Sequence, residues 1–356
     1  MYLMLKSLLG KIIYYSYFVI LKPIPQKFYK YIIIFLEKLI LYTKKISLGH
    51  TIIVDQQIKN INFKVYVRKN NSVAHYTYTQ LNKLDDKRIY ELSIIVCLNS
   101  ILKKEKKPVF VDVGACVGHY ACYVAKFLNY DLPVYALEYN DILCEDIKKS
   151  ASLSKISNIE ILNCLLSDKK EELFTDDVNI SNPNKAKKKE KSVSDDNLKK
   201  ILKSDKKIFT TTMDDIFKEK KIIPNIIKMD VDGAEGKILS GSKNLLKKNI
   251  NFLIMELHVT RYLKRHSPGI TKADIIKGLI DLDFNCYMIS PHSDDYRNLA
   301  PSDWATQQSY LNNTSKLKYL KIEKDLATSV LYYRNFSDIL ILALKKEMNI
   351  DSLDCF

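Results

Sequence analysis

Between residues 109 and 290 short apolar runs alternate with helical patterns, and this rhythm constrains the fold more than any other feature of the chain. The runs are VFVDVG, VYALE, IEILNCLLS, IIKMDVD, NFLIMELH and NCYMIS. Helical patterns fall from 118 to about 128 and over 141–152, 236–247 and 272–281. Strand and helix alternating in this way predict an α/β domain with a doubly wound, mostly parallel sheet over residues 107–290. Ahead of it, residues 51–68 (TIIVDQQIKNINFKVYVR) alternate like one or two strands, and 85–103 reads as a helix with Ile94, Ile95, Leu98, Ile101 and Leu102 on its apolar side. Residues 49–106 are therefore the lead-in to the domain, and 291–356 a C-terminal extension. At about 174–206 the rhythm fails. NISNPNKAKKKEKSVSDDN is polar, charged and free of aromatics, which predicts a flexible surface insertion.

Three strand ends carry chemistry. In VFVDVGACVGHY, residues 109–120, Asp112 closes a buried strand, and Gly114 and Gly118 bracket a tight turn into a helix. Glycines there let backbone N–H groups approach a ligand, and the helix N-terminus adds partial positive charge. The pattern D-x-G-x-x-x-G lacks the middle glycine of a dinucleotide fingerprint, which disfavours a nicotinamide-dependent oxidoreductase. Glu138 ends the next strand twenty residues after Gly118, where a carboxylate accepts the ribose hydroxyls of an adenosine moiety. Each motif alone has a bland reading, a structural turn or an exposed strand-end charge; paired, they point to an adenosine-containing ligand. The third strand end, IIKMDVDGAEGKILSG (226–241), sets Lys228, Asp230 and Asp232 ahead of a glycine turn and Glu235. Acids there face the crevice beyond the carboxyl ends of the strands. They form a general base with hydrogen-bond struts or, ranked second, a divalent-metal site of Asp230, Asp232 and Glu235.

VDVGACVGHY, ALEYN, TTMDDIF and IIKMDVDGAEGKILSG together resemble the successive motifs of the FkbM family of methyltransferases, from about Glu91 to Ser290. The resemblance implies a class I methyltransferase, Rossmann-like fold, S-adenosylmethionine as cofactor, and methylation of oxygen, often on a sugar. Carried onto this sequence, it implies that Asp112, Gly114, Ala115 and Gly118 hold the methionine part. Glu138 would hold the ribose, Asn140 is a further cofactor-binding candidate, and Asn163 to Asp168 would approach the adenine. Asp230 is the implied base, and Glu256 and His258, ending FLIMELH, are the next candidates. A strand-end carboxylate can both align a hydroxyl with a sulfonium methyl and take up its proton. The sequence departs from the family at Cys116, usually Asn, and at Tyr139, usually Pro. The expected acceptor is a hydroxyl of a sugar, glycan or glycolipid. The alternatives are a methyltransferase acting on another small molecule, protein or nucleic acid, and a non-catalytic, membrane-docked binding module that keeps the fold.

Charge bears on partners once it is located. The net +15 divides into +7 over residues 1–48, +4 over residues 185–200 and +4 over the other 292. The expected catalytic body is nearly neutral, and no Asn/Asp-Pro-Pro-Tyr motif follows its fourth strand, so no nucleic-acid partner is expected. In residues 1–48 the longest uncharged apolar run is ten residues, from 12 to 21, whereas a spanning helix needs about 20. Two apolar, Lys-studded helices broken near Pro23 and Pro25 are expected instead. They form either an interfacial anchor on the anionic cytoplasmic face of a membrane or a helical pair packed on the protein's own domain. The seven cysteines show no C-x-x-C pair and no zinc spacing, and read as reduced thiols of a cytosolic protein.

Overall fold

The apolar runs form strands and the amphipathic stretches between them form helices, in the order the rhythm predicts. The computed structural model describes residues 51–68, 91–129, 132–174, 207–290, 316–332 and 338–356. The expected helices of residues 1–48 and most of the Lys-rich insertion lie outside the described residues. Residues 52–356 form one compact unit.

A hairpin of β1 (Thr51–Ile58) and β2 (Ile61–Arg68) comes first, then α1 (Leu92–Lys104), buried along nearly its whole length. The first half of the alternation is β3 (Phe110–Val113), α2 (His119–Phe127), β4 (Val134–Glu138), α3 (Asp141–Leu153) and β5 (Ile159–Asn163). Three short strands follow, β6 (Leu165–Leu166), β7 (Glu172–Phe174) and β8 (Lys207–Thr211), and then α4 (Met213–Lys220). The second half is β9 (Ile226–Met229), α5 (Glu235–Ser240), α6 (Lys243–Lys248), β10 (Phe252–Leu257), α7 (Thr260–His266), α8 (Lys272–Asp281) and β11 (Phe284–Ser290). The described chain closes with β12 (Lys318–Ile322), α9 (Ala327–Tyr332) and β13 (Ile339–Lys345).

Eight of these strands form one sheet in the order β12-β11-β13-β10-β9-β3-β4-β5. Neighbours from β10 to β5 are parallel, whereas β13 runs antiparallel to both β10 and β11. Residues of β3, β4 and β9 are buried throughout, so apolar layers cover both sheet faces. One layer joins α1, α2, α3 and the hairpin; the other joins the helices from α4 to α8. The chain runs outward from β3 through β4 and β5, then returns to the other flank of β3 with β9. That reversal opens a crevice beyond the carboxyl ends of β3 and β9, the place where open α/β sheets bind ligands. The hairpin is fastened to α3 by Tyr66 N donating to Ser150 Oγ at 2.9 Å and Arg68 Nε donating to Asp146 Oδ1 at 2.6 Å.

The structure corrects the sequence reading at three places. The sheet is not complete at residue 290, because β13, from the segment set apart as a C-terminal extension, lies between β10 and β11 with all seven residues buried. A run as apolar as ILILALK finds its stable place inside a sheet rather than on a surface. The helix expected over 236–247 is two helices, broken at Gly241. A Cβ there would stand 2.3 Å from the Ser167 carbonyl oxygen, so the chain after β6 crosses at that point. IEILNCLLS likewise divides, β5 joining the main sheet and β6 pairing with β8. The ends of the insertion meet, since Phe174 pairs with Lys207 across β7 and β8. Among the described residues no helix is long and apolar enough to cross a membrane.

Candidate functional site

The loop after β3 takes its shape from left-handed residues, Gly114 at φ 74°, Cys116 at φ 52° and Gly118 at φ 82°. Gly114 and Ala115 both donate their N–H to the Leu137 carbonyl, at 3.0 and 3.1 Å, which ties the loop to the end of β4. Glu138 ends that strand, 5% exposed, and its two oxygens accept from Cys116 N at 2.9 Å and Asn140 N at 3.0 Å. Burial pushes its carboxyl up to about 7, against the pull of those backbone donors. Asn, the usual family residue at Cys116, enters the left-handed region more readily than most side chains. Here the bond to Glu138 holds Cys116 in that conformation.

Asn163, at the end of β5, donates to the carbonyl oxygens of Glu138 and Tyr139, both at 3.1 Å, so the structure brings it to this corner. The Asn140 side chain caps α3 by accepting from Ile142 and Leu143 N, and Asn140 reaches the site only through its N–H on Glu138. Asp168 is exposed, accepts from Ser167 Oγ at 2.9 Å and lies against Gly241 at the far end of α5. The structure does not join it to Glu138 and Asn163.

Gly114 is the tightest point of the loop. A Cβ there would meet the Asp230 carbonyl oxygen at 1.9 Å, besides requiring a side chain at φ 74°. Left-handed backbone costs about 1–2 kcal/mol and overpacking typically about 1–3 kcal/mol. Gly114→Ala is therefore expected to lose about 2–5 kcal/mol of stability in denaturant unfolding. An unchanged midpoint would show that the loop does not press on β9 as described.

Beneath the loop lies a buried charge network. Asp112 is fully buried in β3 and Lys228 is 2% exposed in β9. Lys228 Nζ stands 3.5 Å from Asp112 Oδ1, 3.7 Å from Asp230 Oδ2 and 4.6 Å from the centre of the Tyr120 ring. Tyr120 in turn donates its hydroxyl to the buried Glu91 carboxylate. Burial alone would lower the lysine, but Asp112, Asp230, Glu91 and Glu256 hold it above its ordinary value. Burial raises the Asp112 carboxyl, opposed by Lys228 and by the Ala121 N–H, which donates to Oδ2 at 3.1 Å. Asp112 thus braces the start of α2 and neutralises Lys228 from under the loop. The sequence signal for this network was a lysine inside the otherwise apolar IIKM; Glu91, left-handed at φ 45° just ahead of α1, gave none.

The acidic strand end opens on the crevice. Ligand atoms of Asp230 after β9, Glu256 in β10 and His258 just beyond it all lie within 4.8 Å of one another. Glu235, fully buried at the start of α5, accepts from Gly233 N at 3.1 Å and meets His258 Nδ1 at 2.5 Å. His258 Nε2 faces Asp230 Oδ1 at 3.5 Å and Asp232 Oδ1 at 3.4 Å. Burial would lower the imidazole, but Glu235 above all, then Asp230 and Glu256, raise it to about 11. Burial and the neighbouring Asp230 push Asp232 up to about 6. Glu235 departs from the metal set considered for it, because its carboxylate lies behind His258 and fixes the ring instead of facing the crevice.

The doubly wound sheet, the glycine loop after β3 and the carboxylate ending β4 place the chain in the Rossmann-like class I methyltransferase fold. Residues 112–277 match the family described as the methyltransferase FkbM domain. Among solved structures the chain is similar to a methyltransferase FkbM from Methylobacillus flagellatus KT, at 14% identity and a TM-score of 0.34, with 61% of this chain and 56% of that one covered. The chain thus spans little more than half of that relative. It is also similar to Aeropyrum pernix fibrillarin bound to S-adenosyl-L-methionine, with 9% identity, 82% and 99% coverage and a TM-score of 0.36. A SAM-dependent methyltransferase from Agrobacterium tumefaciens shows 7% identity, 84% and 71% coverage and a TM-score of 0.39. Among curated proteins none matches.

Proposed function

We propose that this protein is an S-adenosylmethionine-dependent methyltransferase acting on a hydroxyl oxygen of a sugar, glycan or glycolipid. The observation that carries the reading is Glu138. A carboxylate has about four acceptor sites, and the N–H groups of Cys116, Asn140 and Tyr139 take at most three of them, so acceptor capacity remains for the ribose. The cofactor fits this corner in charge and in position, between the loop at Gly114–Gly118 and the end of β4. When bound it supplies an electrophilic methyl group. The residues of this chain hold its ribose at Glu138, close the loop over the end of β3, and present Asp230, Glu256 and His258 from the adjoining strand ends to the acceptor. Asp230 orients the hydroxyl and takes up its proton, the role a strand-end carboxylate performs for oxygen nucleophiles.

The raised Glu138 carboxyl gives this reading a pH signature. Only the ionised form accepts from both ribose hydroxyls, so cofactor affinity should fall about tenfold as pH drops from 8 to 6, through the value of about 7. Stability of the protein alone has the opposite sign. The fold holds this proton more tightly than the unfolded chain does between about 4.5 and 7, so Glu138 lowers stability as pH rises through that window. Calorimetric affinities that stay flat from pH 6 to 8 would remove Glu138 from the ribose. The acceptor is tested with methyl-labelled cofactor and a panel of glycolipids, free sugars and amines. Label recovered as a methyl ether supports the oxygen reading, and label recovered only on nitrogen overturns it.

A further inference from the structure

We propose that Asp230, Glu256 and His258 form a divalent-cation site at the carboxyl ends of β9 and β10. One atom from each residue lies within 4.8 Å of the others, so a single ion can reach all three after small side-chain adjustments. His258 Nε2 stands 3.5 Å from Asp230 Oδ1 and 3.4 Å from Asp232 Oδ1. These separations exceed the 2.7–3.2 Å of a hydrogen bond to nitrogen. They sit close to the roughly 3 Å between neighbouring ligands of an octahedral ion whose bonds are about 2.1 Å long.

The second observation is the orientation of the histidine. Its ring is nine-tenths buried, and its Nδ1 is fixed at 2.5 Å by Glu235, which is itself fully buried and held by Gly233 N. Nε2 is thereby aimed at the carboxylates, the arrangement in which a carboxylate behind a metal-ligating histidine sets its tautomer and ring direction. Charge points the same way. Asp230, Asp232, Glu235 and Glu256 surround one imidazole, while Lys228 is shared between Asp230 and Asp112. Two carboxylates and one imidazole suit an ion tolerant of both oxygen and nitrogen, Mn2+ before Mg2+ or Ca2+. Asp230 is 29% and Asp232 52% exposed on the crevice side, so positions remain for water or an acceptor oxygen. The ligand set therefore replaces the Asp230, Asp232 and Glu235 suggested by spacing alone, and the cation takes precedence over the struts-only arrangement. Its use rests on the proposed transfer to oxygen, where it would hold the acceptor hydroxyl beside Asp230; its binding does not.

The test is Mn2+ binding to the full-length protein, followed by electron paramagnetic resonance of the free ion and by calorimetry, without acceptor. The wild type should bind one Mn2+, Glu256→Gln and His258→Gln should each bind at least tenfold more weakly, and Glu235→Gln should lose about 10–100-fold by loosening the ring. Asp281→Asn, on the surface at the end of α8, should bind as the wild type. Cofactor binding by the same samples reports whether each variant is folded and judges the methyltransferase reading separately. Mn2+ bound without cofactor would sink only that reading. Cofactor bound with no Mn2+ uptake, or with uptake unchanged in both Glu256→Gln and His258→Gln, overturns the cation site.

Discussion

Replacing Lys228 with methionine is expected to cost about 3–5 kcal/mol of folding stability, the loss seen when one partner of a buried ion pair is removed. Methionine fills the space of the lysine stem, so the loss isolates charge from packing. It leaves Asp112, fully buried, with the Ala121 N–H as its hydrogen-bond donor and no cation at 3.5 Å. The deficit should depend on pH. With the lysine gone, the fold raises the Asp112 carboxyl further above its unfolded value of about 3.9. The variant therefore loses stability as pH rises above that value and recovers it in acid, where Asp112 is protonated. Adding Asp112→Asn to Lys228→Met should restore part of the loss, because the amide oxygen can still accept from Ala121 N while no charge remains to bury. Urea unfolding at several pH values measures all three proteins. A loss under about 1 kcal/mol, flat in pH, would mean that water reaches the network.

Asp230→Asn is expected to reduce methyl transfer by about 10²–10⁴-fold, the usual worth of a positioned proton acceptor, while cofactor affinity stays nearly unchanged. Asp230 lies at the end of β9 with its side chain 29% exposed, and Glu138, the proposed ribose residue, ends β4, two strands away. Asparagine keeps the size and one oxygen, so the N–H that Asp230 donates to the Val113 carbonyl at 3.0 Å, and with it the loop, should survive. Turnover measured at saturating cofactor separates the two effects. A variant that retains turnover but binds cofactor poorly would place Asp230 on the cofactor instead of the acceptor.

Sequence periodicity made the doubly wound core legible because β3, β4, β9 and β10 are short, mostly apolar, largely buried runs, each followed by a helical pattern. It did not reveal that ILILALK inserts between β10 and β11, since strand order depends on long-range pairing that a local pattern does not encode. The same limit applies at the site. Residues at the end of an apolar strand run, such as Asp230 and Glu138, were readable from position. The partnership of Glu235 with His258 across 23 residues, and of Glu91 with Tyr120 across 29, appears only when the elements pack. Asn140 and Asp168 show the reverse. Each stands at a plausible place in the motif order, yet Asn140 spends its side chain on a helix cap and Asp168 faces solvent beside Gly241.

Calorimetric titration of the full-length protein tests whether the corner between the glycine loop and Glu138 holds S-adenosylmethionine. The protein should bind S-adenosylmethionine and its demethylated product and should not bind NAD. Glu138→Ala should in addition lose about 1.5–3 kcal/mol of binding, the worth of hydrogen bonds to a charged group. Binding of NAD in place of S-adenosylmethionine, or undiminished S-adenosylmethionine affinity in Glu138→Ala, would contradict this assignment.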